Sequence, residues 1–370
     1  MPETTEAQRE AASMTTACSK KIFSISMVKN EADIIESFVR YHAKIFDGLV
    51  ILDNKSNDNT LAILKQLQQE GLPLFVLEDA NGDYYQSKKM TKLLYDTMEK
   101  YSPDIVMPLD ADEFLTSVGS INPREILQQL DAETIYHVKW RTYIQKASDS
   151  SGELFVPKRL EYAREDSHET FSKIIVNTAH VKKGHLALEV GSHNYKSPNI
   201  TESYRKILHE GMRLAHFPVR SVAQLKTKIL IGWINSLARH DRQIGQGFHR
   251  QYLFDKIVNN QEISAEMLET ISKTYDMGHN QDADIKTVFK PIDLSWCQEI
   301  EIKYAELAQV DYLKSTLKNA AALASNFAKM RANVVTNLEF IRILAEALQQ
   351  HGLQTEAQLC LKIISDFEGG

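Results

Sequence analysis

The segment IVMPLDADEFLT (residues 105–116) runs from an apolar, strand-like stretch directly into three carboxylates, Asp110, Asp112 and Glu113. Burial of unpaired charge is costly, so this segment predicts positive partners nearby. On an extended strand end, Asp110 and Asp112 would face one side and Glu113 the other. Two carboxylates on one side form half of a site for Mg²⁺ or Mn²⁺, which phosphate oxygens and water complete. The alternative is that these acids form a solvated turn or a cap.

Three further strand patterns precede this segment and alternate with helical ones. Apolar runs at residues 22–28, 48–52 and 72–78 predict strands, and periodic apolar stripes between them predict helices. The stretch at residues 104–110 is then the fourth strand. Four such units predict an α/β fold with a mostly parallel sheet flanked by helices, in which ligands bind at the carboxyl ends of the strands.

Composition limits the classes of function. The 370 residues are 43% hydrophobic and 25% charged, with a formal net charge of -6, so the chain has an ordinary globular composition and no basic field for nucleic acid. Residues 1–20 are polar without an apolar signal-peptide core, which predicts a disordered tail. No later window has eighteen uninterrupted apolar residues. We expect a cytoplasmic protein, with a peripheral membrane contact left open.

Polar residues follow the first two strands at the same predicted rim. Asn30 and Glu31 come after strand one, where a helix cap and a ligand contact are equally good interpretations. Asp53 and Asn54 follow strand two, where a nucleotide base or ribose is read in open α/β sheets. The alternative for this second cluster is that it forms the turn and N-cap of the next helix, which we assign to Asp58 in particular.

Three segments carry a family resemblance: ISMVKNEADIIESFVRYH, VILDNKSNDNT and VMPLDADEFL. In this order and spacing they resemble the nucleotide-sugar-binding half of family 2-like glycosyltransferases of the GT-A fold, in a subgroup with KNE after strand one and an LDxDEF motif. The resemblance covers roughly residues 22–226. It implies transfer of a sugar from a nucleoside diphosphate sugar, usually with inversion. Asp110 and Asp112 then hold Mn²⁺ or Mg²⁺, and Asp53 and Asn54 contact the base, most often uracil; Asn54 replaces the commoner second Asp.

The resemblance also implies residues for the remaining roles. The catalytic base comes after the DxD motif in this family, and the candidates retained here are Glu169, Asp166 and Glu189. A helix-opening role is an equally good interpretation for most of the acids in this region. The HFP segment gives His216 as a candidate third metal ligand, ahead of His193, and the commoner alternative for each is an ordinary core or surface histidine.

Basic residues after the HFP segment are candidates for the diphosphate. Arg220, Lys226 and Lys228 follow it closely, and Lys226 is retained as the contact. A solvated basic helix face is the alternative. The amphipathic segment at residues 225–250 could lie on an anionic membrane, although packing of its apolar stripe inside the protein is the simpler interpretation.

The last seventy residues predict helices, including an antiparallel pair that turns at His351 and Gly352. We therefore divide the chain into a tail (1–20), a GT-A domain (21–218) and a mainly helical C-terminal region (219–370), which could mediate homo-oligomer formation. The predicted function is metal-dependent transfer from a UDP-type sugar to an unknown saccharide, lipid-linked or protein acceptor, in polysaccharide or glycoconjugate synthesis. The alternatives are a nucleotidyltransferase and a non-catalytic scaffold that binds a protein through its helical tail.

Overall fold

The computed structural model describes residues 19–79, 85–131, 134–149, 152–183, 186–196, 205–237, 248–259, 261–275, 277, 285–330 and 338–368. The predicted tail lies outside these ranges except for its last two residues. Of these, Lys20 is fixed to the domain, because its backbone N–H donates to the side chain of Gln128 over 2.7 Å.

The first half of the described chain alternates strands and helices, and the last part is helical. The strands are β1 (Ile22–Val28), β2 (Gly48–Asp53), β3 (Leu74–Glu78), β4 (Ile105–Pro108), β5 (Glu113–Ser117), β6 (Thr134–Ile144), β7 (Tyr162–Arg164), β8 (Ser172–Asn177), β9 (Ala187–Leu188), β10 (Tyr195–Lys196), β11 (Arg205–Leu208), β12 (Met212–His216) and β13 (Thr287–Phe289). The helices are α1 (Ile35–His42), α2 (Thr60–Gln69), α3 (Gln86–Tyr101), α4 (Pro123–Gln129), α5 (Val156–Arg159), α6 (Thr178–Lys183), α7 (Val222–Leu237), α8 (Phe248–Val258), α9 (Ala265–Thr274), α10 (Tyr312–Met330), α11 (Leu338–Gln350) and α12 (Gln354–Glu368).

The sheet confirms the predicted α/β class. Strands β3, β2, β1 and β4 lie side by side in that order and are all parallel, with Ile25 opposite Val50 on one side and Pro108 on the other. Beyond β4 the sheet becomes mixed, because β8 runs antiparallel to both β4 and β6. The carboxyl ends of β1, β2 and β4 therefore meet at one edge, as the sequence predicts.

Helices cover both faces of the parallel strands. On one face, α1 and α2 place Phe38 and Leu64 in a core that includes Ile51 of β2. On the other face, α3 packs Leu94 against Ile25. These side chains recur at helical spacing in the sequence and alternate along the strands, which is why local periodicity predicts this part of the fold.

Strand β12 connects two distant parts of the chain next to that edge. It pairs antiparallel with β5 and parallel with β6, so His216 lies opposite Glu113 on one side and Thr142 on the other. Neither β5 nor β12 is evident from the sequence, because their pairing joins segments about a hundred residues apart. Their pairing brings the HFP segment to the end of β4.

The C-terminal region is mainly helical, as predicted, but contains an extended return to the first domain. Residues 290–307 pack apolar side chains such as Trp296 and Ile302 against the main core, and the backbone N–H groups of Lys303 and Tyr304 each donate to Glu36 over 2.8 Å. Helices α10, α11 and α12 then form a separate core.

Two local predictions in the C-terminal region are confirmed. The turn at Gly352, where φ is 74°, separates α11 from α12. The apolar stripe of α7 is buried, including Leu225 and Ile229, in a cluster with α8 and α9. None of the described helices combines the length and apolar character needed to cross a membrane.

Candidate active site

A cleft of about 380 Å³ opens at the carboxyl ends of β1 and β4. One wall comes from the segments that follow these strands, and the opposite wall comes from α7. The lining residues that matter for the chemistry are Lys29, Asn30, Glu31, Asp110, Asp112, Trp140, Gly191, His193, His216, Lys228 and Tyr275. The cleft is polar and carries both signs of charge, as a site for an anionic ligand and a cation would.

The acidic segment after β4 is a tight turn and not a continuation of the strand. The backbone N–H of Glu113 donates to the carbonyl of Asp110 over 3.0 Å, and the N–H of Asp110 donates back to the Glu113 carboxylate over 2.8 Å. The prediction that the strand stays extended through these residues is therefore wrong. Its consequence is still observed, since Asp110 and Asp112 line the cleft and Glu113 is enclosed.

We call Glu113, Lys173 and Trp140 the enclosed side of the turn. Lys173 donates to Glu113 over 2.7 Å and to Asp110 over 2.6 Å, and the indole N–H of Trp140 donates to Glu113 over 2.8 Å. Burial opposes the charge of Lys173, but Asp110 and Glu113 hold its pKa above the usual range. The sequence predicts a positive partner for this acidic segment but does not identify it. In the structure that partner is Lys173 on β8.

We call Asp110, Asp112 and Lys228 the open side. Lys228 on α7 donates to Asp112 over 2.8 Å, and its side chain is 26% exposed whereas that of Lys173 is 1% exposed. Burial alone would raise the pKa of Asp112, but the positive charges of Lys228 and Arg220 hold it well below its usual range. Asp112 is therefore ionised and faces the cleft, with the long side chain of Lys228 beside it.

Arg220 joins the two acidic segments of the rim. Its guanidinium donates to Asp33 over 2.7 and 2.8 Å and to Glu31 over 2.6 Å, and it lies 3.8 Å from Asp112. Burial raises the pKa of Glu31 to about 7 although Arg220 opposes this. Glu31 therefore lines the cleft while it fixes the segment after β1 to the segment after β12.

His216 lies against the turn in a defined orientation. Its ring stacks on Trp140 with centroids 4.0 Å apart, and its Nε2 lies 3.9 Å from Asp112 Oδ2. Burial lowers the pKa of His216 to about 3, so the imidazole is neutral. A neutral imidazole next to the carboxylate of Asp112 is a pair of ligands that metal ions accept.

The predicted base-contacting pair lies beside the cleft, behind Lys29. Lys29 lines the cleft and donates to the carbonyl of Asn54 over 3.2 Å, and Asp53 accepts from the N–H of Ser56 over 3.0 Å. Asp53 Oδ1 and Asn54 Nδ2 are buried without a hydrogen-bond partner among the described residues. Buried polar atoms in this state are suited to a ligand that supplies the missing bonds.

Asn30 has a clear local role in addition to its place in the cleft. It adopts a left-handed φ of 58°, and its side-chain oxygen accepts from the backbone N–H of Asn57 over 2.6 Å. Asp58 accepts from the backbone N–H of Thr60 over 2.9 Å at the start of α2, but the N-cap residue is Asn59 and not Asp58 as predicted. The two polar loops after β1 and β2 thus hold each other in place.

Two of the three predicted base candidates are committed to structural contacts. Glu169 is buried and accepts from the backbone N–H of Thr142 over 2.6 Å, and Asp166 is paired with Arg141 through bonds of 2.9 and 2.8 Å. Neither lines the cleft, so neither is placed to take a proton there. Glu189 is also outside the lining but directly precedes lining residues Val190 and Gly191, and its role stays a prediction.

The predicted diphosphate contact lies on the wrong face of α7. The ammonium of Lys226 sits over the ring of Tyr312 at 4.8 Å and is not part of the cleft. Lys228 does line the cleft. It lies on one face of α7 with Ile231, Gly232 and Asn235, at positions i, i+3, i+4 and i+7. This spacing is the signal in the sequence that distinguishes the two lysines.

His193 is a lining residue that the sequence analysis ranked below His216. Its ring contacts Trp140 and Phe171, each with centroids 5.1 Å apart, and its Nδ1 lies 2.8 Å from the carbonyl of Ser172. Gly191 has a φ of 71°, and a Cβ there would lie 2.5 Å from the His193 ring. A glycine at this position is therefore required by both the backbone and the ring.

Asp110 and Asp112 of the open side, together with His216, have the ligand types that a hard divalent cation takes. Asp110, Asp112 and His216 supply carboxylate oxygens and a neutral nitrogen, and carboxylates outnumber the cations that pair with them around the turn. No group of three or more His, Cys, Asp or Glu within the described ranges has the convergence of a complete site. Mg²⁺ and Mn²⁺ need only one or two protein carboxylates when phosphate oxygens complete the shell, so this arrangement suits an ion that binds together with a diphosphate.

A scan against protein-family models and a search of curated protein sequences each gave no match. Among solved structures, the chain is similar to a mannosyltransferase from Pyrobaculum calidifontis in complex with GDP-Man and Mn²⁺. The two are 11% identical, over 94% of this chain and 88% of that one, with a TM-score of 0.35.

The chain is also similar to glucosyl-3-phosphoglycerate synthase from Mycobacterium tuberculosis in complex with Mn²⁺, UDP and glucosyl-3-phosphoglycerate. Identity is 20%, over 37% of this chain and 48% of that one, with a TM-score of 0.21. The matched part thus spans about half the length of that enzyme. Likenesses this distant assign no activity to the chain, so the case for a function rests on the cleft.

Proposed function

We propose that this chain is a glycosyltransferase that moves a sugar, with inversion, from a nucleoside diphosphate sugar of the UDP type, with Mn²⁺ or Mg²⁺ bound at Asp110 and Asp112. The observation that supports this most is the open side of the turn, where two aspartate side chains and a lysine face a cleft at the carboxyl ends of β1 and β4. Metal and diphosphate would meet there, as charge complementarity requires.

The nucleoside would occupy the side of the cleft near β2. Lys29, Asp53 and Asn54 form a polar group in which two buried side-chain atoms lack partners within the described structure. A pyrimidine edge or ribose hydroxyls can supply those bonds, and Asn30 and Glu31 shape the rim between this group and the turn. With this placement, the nucleoside lies near β2 and the diphosphate lies at the turn, in the order in which a sugar nucleotide carries them.

The diphosphate would lie between Asp110, Asp112 and Lys228. A bound Mn²⁺ or Mg²⁺ would stabilise the charge that develops on the departing diphosphate. Lys228 is long and only partly buried, so it can leave Asp112 and donate to a phosphate oxygen. His216 is the candidate third ligand, and Arg220 holds Glu31 and Asp33 in position without entering the cleft itself.

The transfer also requires an acceptor and a base. Direct displacement needs a group that takes the proton of the acceptor hydroxyl, and Glu189 remains the candidate among the predicted acids. The acceptor would approach along Tyr275 and His193. The acceptor in our proposal is a saccharide, a lipid-linked molecule or a protein, in polysaccharide or glycoconjugate synthesis. We also propose a domain boundary at Pro218, although α7, which follows it, completes the cleft.

The two alternative functions predict different observations. A nucleotidyltransferase would bind a nucleoside triphosphate, for which the segment after β1 offers acidic residues where a basic, glycine-rich loop is usual. A scaffold with a partner on its helical tail would need no ionised carboxylates in the cleft. The separate core of α10, α11 and α12 is compatible with a role in oligomer or partner binding, which is left as a proposal.

Calorimetry with a panel of nucleotides, with and without Mn²⁺, tests the proposal. UDP should bind more tightly with Mn²⁺ than without, and the Asp110→Asn/Asp112→Asn variant should lose this difference. The variant keeps the shapes of both side chains, and its thermal unfolding serves as the control for folding. If no nucleoside diphosphate binds, or if the variant binds with the same dependence on metal, the proposal fails.

A further inference from the structure

A line of buried contacts leads from Glu169, outside the cleft, to Asp112 inside it. The Glu169 carboxylate accepts from the backbone N–H of Thr142 over 2.6 Å and from its hydroxyl over 3.1 Å. The same hydroxyl oxygen lies 3.5 Å from Nδ1 of His216, whose Nε2 lies 3.9 Å from Asp112 Oδ2. Glu169, Thr142, His216 and Asp112 are each less than one-tenth exposed.

The direction of each hydrogen bond follows from what the groups can donate. The Thr142 hydroxyl has a single hydrogen, and it donates this hydrogen to Glu169 Oε2 over 3.1 Å. The hydroxyl oxygen is then an acceptor toward His216, and Nδ1 of His216 must carry the ring hydrogen. Nε2 consequently presents a lone pair toward Asp112.

A lone pair and a carboxylate oxygen that face each other form a favourable contact only through a cation. The 3.9 Å between His216 Nε2 and Asp112 Oδ2 is too long for a hydrogen bond. It lies between the separations of about 3.0 Å and about 4.2 Å that adjacent and opposite ligands of an octahedral ion have when each bond is about 2.1 Å, so a shift of less than about 1 Å would let both atoms bind one ion. Lys228 already meets the same Asp112 oxygen from the side of α7, which shows that this oxygen attracts positive charge.

We propose that Glu169 and Thr142 are positioning residues that fix His216 as the Nδ1–H tautomer, so that Nε2 and Asp112 bind one divalent cation together. The stacking of His216 on Trp140 sets the plane of the ring, and the Glu169–Thr142 pair sets its hydrogen. This inference rests on the proposed function, and it gives Glu169 a role in place of the catalytic base that the sequence suggested.

Glu169→Gln is the sharpest test because it changes the direction of the hydrogen bonds and almost no volume. The N–H of Thr142 still requires an acceptor, so the amide oxygen takes that place and the NH₂ group faces the hydroxyl. The hydroxyl must then turn its hydrogen to His216 Nδ1. The variant therefore forces the Nε2–H tautomer, which offers a cation no lone pair at Nε2.

Two measurements read this out without any assay of activity. Two-bond ¹H–¹⁵N correlation spectra of the metal-free protein report the tautomer of His216, which should be Nδ1–H in the wild type and Nε2–H in Glu169→Gln. Electron paramagnetic resonance of added MnCl₂, in the presence of UDP, reports both affinity and the ¹⁴N coupling of a bound imidazole. Affinity should fall about 10- to 100-fold in the variant, with loss of the ¹⁴N coupling.

Substitutions at Thr142 provide the matched pair. Thr142→Ser keeps the hydroxyl and should keep the wild-type tautomer, affinity and ¹⁴N coupling, whereas Thr142→Val removes the hydroxyl at equal volume and should lose the coupling. Thermal unfolding identifies a variant that fails to fold, and the other variant then decides. The inference is overturned if wild-type His216 is the Nε2–H tautomer, or if folded Glu169→Gln and Thr142→Val bind Mn²⁺ with unchanged ¹⁴N coupling.

Failure of this inference differs from failure of the proposed function. If the wild type binds Mn²⁺ with UDP but shows no ¹⁴N coupling, the positioning role is rejected and the metal-dependent nucleotide site stands. If the wild type binds no Mn²⁺ with UDP, the proposed function itself is rejected.

Discussion

The turn at residues 110–113 separates an enclosed side from an open side that use the same kinds of side chain. On the enclosed side, Lys173 and Trp140 saturate the carboxylate of Glu113, which is 0% exposed. On the open side, Lys228 meets Asp112 with a quarter of its own side chain exposed to the cleft. Two adjacent carboxylates, Asp112 and Glu113, therefore each pair with a lysine, but one pair borders the cleft and the other is enclosed.

The difference shows how burial divides structural charge from functional charge. A pair that is fully enclosed and fully hydrogen-bonded cannot exchange partners without a large desolvation cost, so it fixes the turn. A pair that borders a cleft can exchange its lysine for a ligand, because solvent and ligand reach it. We expect changes on the enclosed side to reduce stability and changes on the open side to reduce binding.

Lys173→Met should have the largest effect of the changes considered. It leaves Glu113 buried without its cation, and breaking one partner of a buried pair costs about 3–5 kcal/mol. Urea unfolding followed by circular dichroism measures this loss. A loss below about 1 kcal/mol, in the range of surface ion pairs, would show that the enclosed side does not stabilise the turn.

A second buried group, His42, should make stability depend on pH. This histidine is fully buried behind β5, where its Nε2 accepts from the N–H of Leu115 over 3.2 Å and its Nδ1 donates to the carbonyl of Phe38 over 2.9 Å. Burial lowers its pKa to about 3, from about 6.5 when unfolded. The unfolded chain binds the extra proton between these values, so stability is present above pH 6.5 and is lost as pH falls toward 3.

The size of this loss is at most about 1.4 kcal/mol per pH unit. His42→Gln can make both hydrogen bonds without titrating, so its stability should fall less steeply between pH 6.5 and 5. Urea unfolding at a series of pH values measures both slopes. Equal slopes for the two proteins would mean that His42 is not held neutral in the folded state.

On the open side, Lys228→Met should weaken binding of UDP in the presence of Mn²⁺ by about tenfold, which corresponds to the loss of one charge-assisted contact of about 1.4 kcal/mol. Lys226→Met is the matched control on the same helix, because Lys226 lies over Tyr312 and away from the cleft. Calorimetry compares the two. If Lys226→Met is the variant that loses affinity, the face of α7 that we assign to the cleft is wrong.

The smallest difference between a variant and its control is expected at the glycine beside His193. Gly191→Ala and Gly71→Ala both place a side chain at a left-handed φ, of 71° and 81°, at about 1–2 kcal/mol each. Only Gly191→Ala also meets the His193 ring, since Gly71 has no atom within 4 Å of its added Cβ. Urea unfolding should show up to about 1 kcal/mol more loss for Gly191→Ala. Equal losses would mean that the cleft wall adjusts freely.

The fold of the first hundred residues could be predicted from the sequence because it is encoded locally. Each strand and helix of that part has its own apolar period, and parallel strands place their carboxyl ends at one edge. That is why Glu31, Asp110 and Asp112 could be grouped in one cleft from strand positions alone. The orientation of Glu113 away from them followed from the period of two, although the backbone there is a turn.

The remainder could not be predicted because it depends on contacts between distant residues. Arg220 pairs with Glu31 across 189 positions, and β12 fits between β5 and β6 only when all three are folded. The partner of Glu113 is Lys173, which looks in the sequence like an ordinary polar residue of a strand. The contact of Glu169 could not be predicted for the same reason, since its partner Thr142 lies on another strand.

The most direct test of the central claim is the release of nucleoside diphosphate from UDP- and GDP-sugars, compared between the wild type and Asp110→Asn/Asp112→Asn at equal concentration. With water as acceptor, the wild type should release the nucleoside diphosphate from at least one donor, only with Mn²⁺ or Mg²⁺, and the variant should match the blank. Release from no donor by the wild type, or release that persists in the folded variant, would contradict a glycosyltransferase centred on the open side of the turn.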